Sequence, residues 1–281
     1  MNNHELHGFT FAESIMAIFN QIRVINPCMF VDNTWLDDIV TARVPLLVLR
    51  GFLTPPATTA VVKDVMQCRQ KIALTYPCPD TLTTLGACLA KYTSVPENYF
   101  TELRDIQPML PDTLLTLREQ VYGWVKKVLK LESLQTAQEP ELGPYSAAIV
   151  RLHSAGVAQP LHHHDITRDA ASSGLAVSQI LHQLSCVVCL QTGDSSGALR
   201  IYNKKWQAED ERFKTPDEPG YQGAVVQHYE TCEFSPRCGD IYLFNPAYYH
   251  ETGRVSGDTH ITMDFFFGLT DKKMKHAIAW S

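Results

Sequence analysis

After Gly143 the sequence breaks into short β-rich runs: AAIVRLH, LSCVVCLQ, GALRIYN, GAVVQHY, GDIYLFN and HITMDFFFG. Their separators are rich in Gly, Ser, Asp and Pro, as in Thr192-Gly-Asp-Ser-Ser-Gly197 and Ser235-Pro-Arg-Cys-Gly239. Many short strands divided by turn signals predict a mainly β sandwich or barrel of the jelly-roll kind. The polar 207–223 stretch between two of these runs reads as an insertion loop or lid. Within it, Glu209, Asp210, Glu211 and Arg212 look like a solvated charged face.

The first half has a different texture. Thr10-Phe-Ala-Glu13 reads as a capping box before the amphipathic run SIMAIFNQIR. Val44 to Phe52 is a short β-type run closed by Thr54-Pro55-Pro56, with proline suited to a first helical turn. The following ATTAVVKDVMQCRQKIALTY has helical periodicity. A further helix is expected from Pro111 to Lys130, with Leu114, Leu115, Leu117, Val121, Trp124, Val125 and Val128 as its apolar stripe. The organisation expected is one domain over 1–281. Residues 1–142 form a mainly helical brace on one outer face, 143–270 the jelly-roll core, and 271–281 a C-terminal tail.

Composition narrows the function. The chain has 281 residues, 45% of them hydrophobic and 19% charged, with a net charge of −6. Disorder and low-complexity architectures are excluded. The mild acidity argues against nucleic acid or an anionic membrane as the main partner, both of which need a basic footprint. The N-terminal MNNHELHGFTF lacks the regions of a secretory signal, and no apolar stretch is long enough to span a bilayer, so a cytoplasmic protein is expected. The eight cysteines are scattered through the chain and read as reduced. Cys186-Val-Val-Cys189 has metal spacing but lies inside the apolar LSCVVCL run, so buried strand thiols are the better reading.

The sharpest chemical feature is Leu161-His162-His163-His164-Asp165. His163 and Asp165 are one residue apart, so on an extended segment both side chains project to one side and can grip one ion. Further on, the apolar strand in Gly239-Asp240-Ile-Tyr-Leu-Phe-Asn-Pro-Ala-Tyr-Tyr-His250 ends in a histidine. Two imidazoles and a carboxylate on one face of a metal leave the opposite positions open, an arrangement suited to non-haem Fe(II) and O₂. A histidine run also occurs in solvated loops, and His250 alone could be a satisfied core histidine. That each motif follows a β-run favours the metal.

These blocks resemble the Fe(II)/2-oxoglutarate-dependent oxygenases, over about Pro45 to Phe267. The resemblance rests on PLLVLRGFLTP, RLHSAGVAQPLHHHD, SSGALRIYNKKWQAEDERF and CGDIYLFNPAYYHETGRVSGDTHITMDFFFG. It is nearest to the bacterial small-molecule hydroxylases and halogenases. It implies a double-stranded β-helix with iron at its open end, and Fe(II), 2-oxoglutarate and O₂ as the reaction's components. Carried over by position, His163, Asp165 and His250 become the iron ligands. His162 and His164 are rival donors, set aside because only His163 has the one-residue spacing to Asp165.

The family places a basic residue for the co-substrate carboxylate about ten positions past the distal histidine. Here that position is His260, so Arg254, Thr262 and Arg151 join it as candidates. Related halogenases have a small residue where Asp165 stands, which leaves a position for halide. With Asp165 there, the resemblance implies hydroxylation of an unactivated C–H bond, coupled to decarboxylation of 2-oxoglutarate to succinate. The implied substrate is an amino acid or a natural-product scaffold. Trp206, Tyr248, Tyr249, Phe244, Arg200, Asn203 and Asp264 are the candidate substrate residues. Two other classes fit the same donors: a cupin-like Zn(II) hydrolase or non-oxidative isomerase, and a binding module without turnover.

Overall fold

The computed structural model describes residues 19, 21–26, 34–75, 82–193, 195–216 and 220–281. The architecture is two facing sheets, a double-stranded β-helix. The larger has nine strands, running Arg23–Ile25, Leu47–Leu49, Ile241–Phe244, His182–Gln191, His260–Leu269, His276–Trp280 and Ser133–Thr136. Off this path, Ile149–His153 pairs with the first half of the His260–Leu269 strand, and Leu82–Leu85 pairs with Ile149–His153. The smaller has four strands, in the order Thr231–Phe234, Leu199–Lys205, Tyr248–Thr252 and Gln159–His162.

Alternation along the strands of the large sheet separates structure from chemistry. On the His260–Leu269 strand, Ile261, Met263, Phe265 and Phe267 are all buried and join the main core with Val150, Leu152, Cys186, Val188, Ile241 and Leu243. Helices Trp35–Val40, Pro55–Thr75 and Asp112–Val128 complete that core from outside. In the last of these, Leu114, Leu117, Val121, Val125 and Val128 recur at helical spacing and are buried, while Lys126 and Lys127 sit in the last turn. Burying each such Leu, Phe or Met stabilises the fold by about 1.5–3 kcal/mol. The helical brace on one face is therefore present as expected.

The opposite face of the same strands carries His260, Thr262 and Asp264, opposite His153, Arg151 and Ile149 in register. This inner face meets the small sheet. At one end the two close on an apolar cluster of Leu46, Val48, Leu199, Ile201, Cys232, Phe234, Tyr242 and Phe244. At the other end they stay apart around a cavity lined by both polar and apolar side chains.

Several local expectations change. GAVVQHY is not a strand: Gly223–Val225 is a short 3-10 turn, and Val225 and Val226 are buried against Leu161 and Tyr249 as a plug on the small sheet's outer face. Residues 271–281 are not a tail, because His276–Trp280 pairs antiparallel with the second half of the His260–Leu269 strand. The helical half also contributes edge strands and a helix at Pro96–Ile106. The capping box at Thr10–Glu13 lies outside the described residues. Cys186 and Cys189 are buried strand residues whose thiols burial pushes well up, as befits core packing. No helix among the described residues is long and apolar enough to cross a membrane.

Candidate metal centre

The histidine run straddles a strand end in the small sheet, and the strand's phase decides which side chains meet. Leu161 is buried in the outer-face cluster with Tyr249. His163 shares that parity and goes the same way: its ring lies 5.7 Å from Trp206, 5.5 Å from Tyr221 and 5.2 Å from Tyr249. His162 and His164 have the other parity and face inward. His162 is the direct cross-strand partner of His250, with ring centroids 4.2 Å apart. The His164 N–H donates to the Pro246 carbonyl at 2.8 Å, tying the run to the turn that starts the His250 strand.

The donor atoms of His162, His164 and His250 all lie within 4.8 Å of one another, the one such group among the described residues. The expectation of His163 and Asp165 is corrected accordingly. Asp165 instead caps the short helix Ile166–Asp169, accepting from the Arg168 N–H at 3.3 Å and the Thr167 hydroxyl at 2.6 Å. The one-residue spacing is real, but it joins His162 to His164. The missed signal was Leu161, whose apolar side chain fixes the outward parity and takes His163 with it.

The imidazoles suit a divalent ion. Burial pushes His162 down to about 4, with Arg151 adding to it, and burial with the neighbouring imidazoles holds His164 and His250 well below the ordinary range. All three are neutral at pH 7, as metal binding requires. A backbone carbonyl can only accept, so Nδ1–H of His250 donates to Tyr248 at 2.8 Å and Nδ1–H of His162 donates to Pro160 at 2.7 Å. Both rings are thus fixed in the tautomer that leaves Nε2 as the acceptor, and that of His162 takes the Gln159 amide N–H at 3.3 Å. Phe244 and Phe266 back the group, 4.9 Å from His250 and 5.0 Å from His164.

Across the cavity stand Arg151, His153, His260, Thr262 and Asp264, with Ser185, Val187 and Tyr242 between. The space measures about 750 Å³ including its mouth. Arg151 Nε donates to Asp264 Oδ2 at 2.7 Å. His260 Nδ1 and Asp264 Oδ1 are buried without a hydrogen-bond partner among the described residues. Of the four co-substrate candidates, Arg151, His260 and Thr262 line the cavity. Arg254 does not; it reaches out to the Gly156 carbonyl at 3.2 Å.

The substrate candidates divide likewise. Phe244 and Asp264 line the cavity. Trp206 and Tyr249 pack on the outer face around His163. Tyr248 stacks on Phe19. Arg200 is an exposed bridge between Glu233 and Glu251, and Asn203 bonds Glu230. These five follow from residue type near the two motifs, and residue type alone does not say which face of the small sheet a side chain takes.

A double-stranded β-helix with a histidine cluster between its sheets is the frame of the Fe(II)/2-oxoglutarate-dependent non-haem iron oxygenases. Residues 31–281 match the family described as carrier-protein-independent halogenase WelO5, and the chain belongs to that family of oxygenases. Among solved structures, it is similar to an N-substituted L-amino acid dioxygenase from Burkholderia ambifaria AMMD, at 14% identity and TM-score 0.58 over 90% of this chain and 92% of that one. The complex of such an enzyme with alpha-KG from the same organism gives 13% identity and TM-score 0.57 over 88% and 90%. HygX from Streptomyces hygroscopicus, with nickel and 2-oxoglutarate bound, gives 13% and 0.49 over 86% and 88%. At these identities the likeness to the two Burkholderia structures is one of fold. No curated protein matches the sequence.

Proposed function

We propose that this protein hydroxylates an unactivated C–H bond of a small molecule, an amino acid or natural-product scaffold, in the cytoplasm, and that His162, His164 and His250 hold its iron. The observation that carries the reading is the convergence of these three side chains on one point of the cavity. Iron, 2-oxoglutarate and O₂ supply the oxidising chemistry, with succinate as co-product.

The chain's own residues orient and protect. The Pro160 and Tyr248 carbonyls aim two imidazoles. Val187, Leu199, Phe244 and Phe266 keep the surroundings apolar. Arg151, with Thr262 and His260 beside it, takes the far carboxylate of the co-substrate; a planar guanidinium suits that task. The third ligand position is what separates hydroxylation from halogenation. It belongs to the residue two beyond His162, which is His164, and an imidazole there leaves no room for halide.

The test is anaerobic addition of Fe(II) and 2-oxoglutarate, which should give a weak visible charge-transfer band. Aerobic turnover in the presence of chloride should then yield succinate and a product one oxygen heavier. A chlorinated product would overturn the hydroxylation reading, and absence of both band and succinate would overturn the whole. Arg254→Ala should leave 2-oxoglutarate affinity unchanged, whereas Arg151→Lys should weaken it by about tenfold.

A further inference from the structure

The ligand group carries no charge of its own. Three neutral imidazoles leave a divalent ion with both positive charges, where two histidines and a carboxylate would have cancelled one. Among the described residues, the one acidic side chain lining the cavity is Asp264, and the one arginine or lysine is Arg151. They stand on neighbouring strands, joined at 2.7 Å, with side chains 16% and 18% exposed. Burial pushes the Asp264 carboxyl up, and Arg151 opposes it. A guanidinium that cannot lose its proton, at hydrogen-bond distance, favours the carboxylate form of Asp264 against that burial. Its second oxygen, Oδ1, is buried, and the Thr262 hydroxyl beside the carboxylate favours its charged form.

We infer that Asp264 is the charge-compensating residue of this site. It returns, from across the cavity, the unit of negative charge that the ligand set lacks by having an imidazole at His164. Ion, dianionic 2-oxo acid, Arg151 and Asp264 then sum to zero. With carboxylates at both 164 and 264 the sum would be one negative charge, and with neither it would be one positive. Asp264 thereby sets how tightly a dianionic co-substrate is held. The inference rests on the metal and co-substrate reading above. A purely geometric alternative is that Asp264 only aims Arg151.

The experiment titrates 2-oxoglutarate into full-length protein saturated with Ni(II), by calorimetry and without turnover. It compares wild type, Asp264→Asn, His164→Asp and the double variant. Asp264→Asn keeps an oxygen for Arg151 Nε but removes the charge, and should tighten binding by about tenfold. His164→Asp should weaken binding by a similar factor, about tenfold, and the double variant should return to within about threefold of wild type. Each change should be smaller for 2-oxobutyrate, which has one negative charge, because a Coulombic effect scales with ligand charge and a packing effect does not. Should Asp264→Asn fail to fold, the ratio of 2-oxoglutarate to 2-oxobutyrate affinity in His164→Asp still decides, and must fall. Unchanged or weaker 2-oxoglutarate binding in a folded Asp264→Asn, or an unmoved ratio, overturns the inference while leaving the parent reading intact. A wild-type Ni(II) protein that binds no 2-oxoglutarate overturns both.

Discussion

The imidazole of His163 lies against the indole of Trp206, centroids 5.7 Å apart and planes 26° from parallel. Arg168 covers the same indole, its guanidinium carbon 4.1 Å from the ring centre. The indole N–H and the Tyr221 hydroxyl both donate to Glu211 Oε1, at 2.9 and 2.7 Å. The insertion therefore clamps the one residue of the histidine run that faces outward, between the two that face inward. Gly220, at φ +109°, lets it come this close: a Cβ there would sit 2.7 Å from the Leu161 carbonyl oxygen. Trp206→Ala should loosen the run and weaken Ni(II) or Co(II) affinity by about tenfold, the scale of lost support behind metal ligands. Trp206→Phe, which keeps a ring on His163, should restore most of it. Equal metal affinity in all three proteins, by competition with a chelating dye, would contradict the clamp.

Asp165 supplies a sharper contrast. As a helix cap it should be replaceable by Asn, which caps equally well, at a cost below about 0.5 kcal/mol. Metal stoichiometry in Asp165→Asn should match wild type. His162→Ala and His250→Ala should each lose the ion, and His163→Phe should keep it. Metal content after dialysis checks the series. Loss of the ion in Asp165→Asn with retention in His164→Ala would restore the histidine-carboxylate alternative.

Acid should destabilise the metal-free protein through His153 and His260. Their rings are 5.9 Å apart in the cavity wall, and burial pushes both down to about 4. The unfolded chain takes up these protons near 6.5, the folded one only near 4. Between those values the unfolded state binds more protons, so stability is complete above about pH 6.5 and is lost as pH falls toward 4. Each histidine contributes at most about 3 kcal/mol over the whole interval, and about 2 kcal/mol of it between pH 7 and 5. Thermal melts from pH 7 to 5 should show a falling Tm, flattened in His260→Gln. A constant Tm over that interval would refute the assignment.

The fold was legible because alternation and turn residues are local signals. The β-runs at 149–153, 182–191, 199–205, 241–244 and 260–269 and the helix at 112–128 all appear near where their patterns lie. GAVVQHY misled because Val225 and Val226 are apolar for docking on Tyr249 and Leu161, not for pairing in a sheet. His276–Trp280 escaped because a short terminal run carries little pattern by itself, and its partner strand is ten residues long, with room for a second neighbour. At the site, the distal His250 and the one-residue spacing were both readable. The phase of that spacing is set by the burial of Leu161 on the outer face, which the spacing alone does not carry. The Arg151–Asp264 pair could not be read at all, since it depends on a register between strands more than a hundred residues apart.

The insertion has a second anchor in Lys204 and Asp210, 2.9 Å apart with side chains only 7% exposed each. Asp210 also accepts from the Gln207 N–H at 2.9 Å and the Tyr249 hydroxyl at 3.4 Å. Tyr249 adjoins His250, so this buried pair braces the distal-histidine strand from behind. Removing one charge strands the other away from water, and Lys204→Met should cost about 3–5 kcal/mol. Removing both is different: Lys204→Met with Asp210→Asn leaves no unpaired charge and keeps an acceptor for Gln207, so it should recover most of that loss. Urea unfolding of the three proteins measures it. If the double variant is as unstable as the single one, the pair matters for packing around Tyr249 and Tyr229, over whose rings the Lys204 ammonium sits at 5.9 and 5.3 Å, more than for its charges.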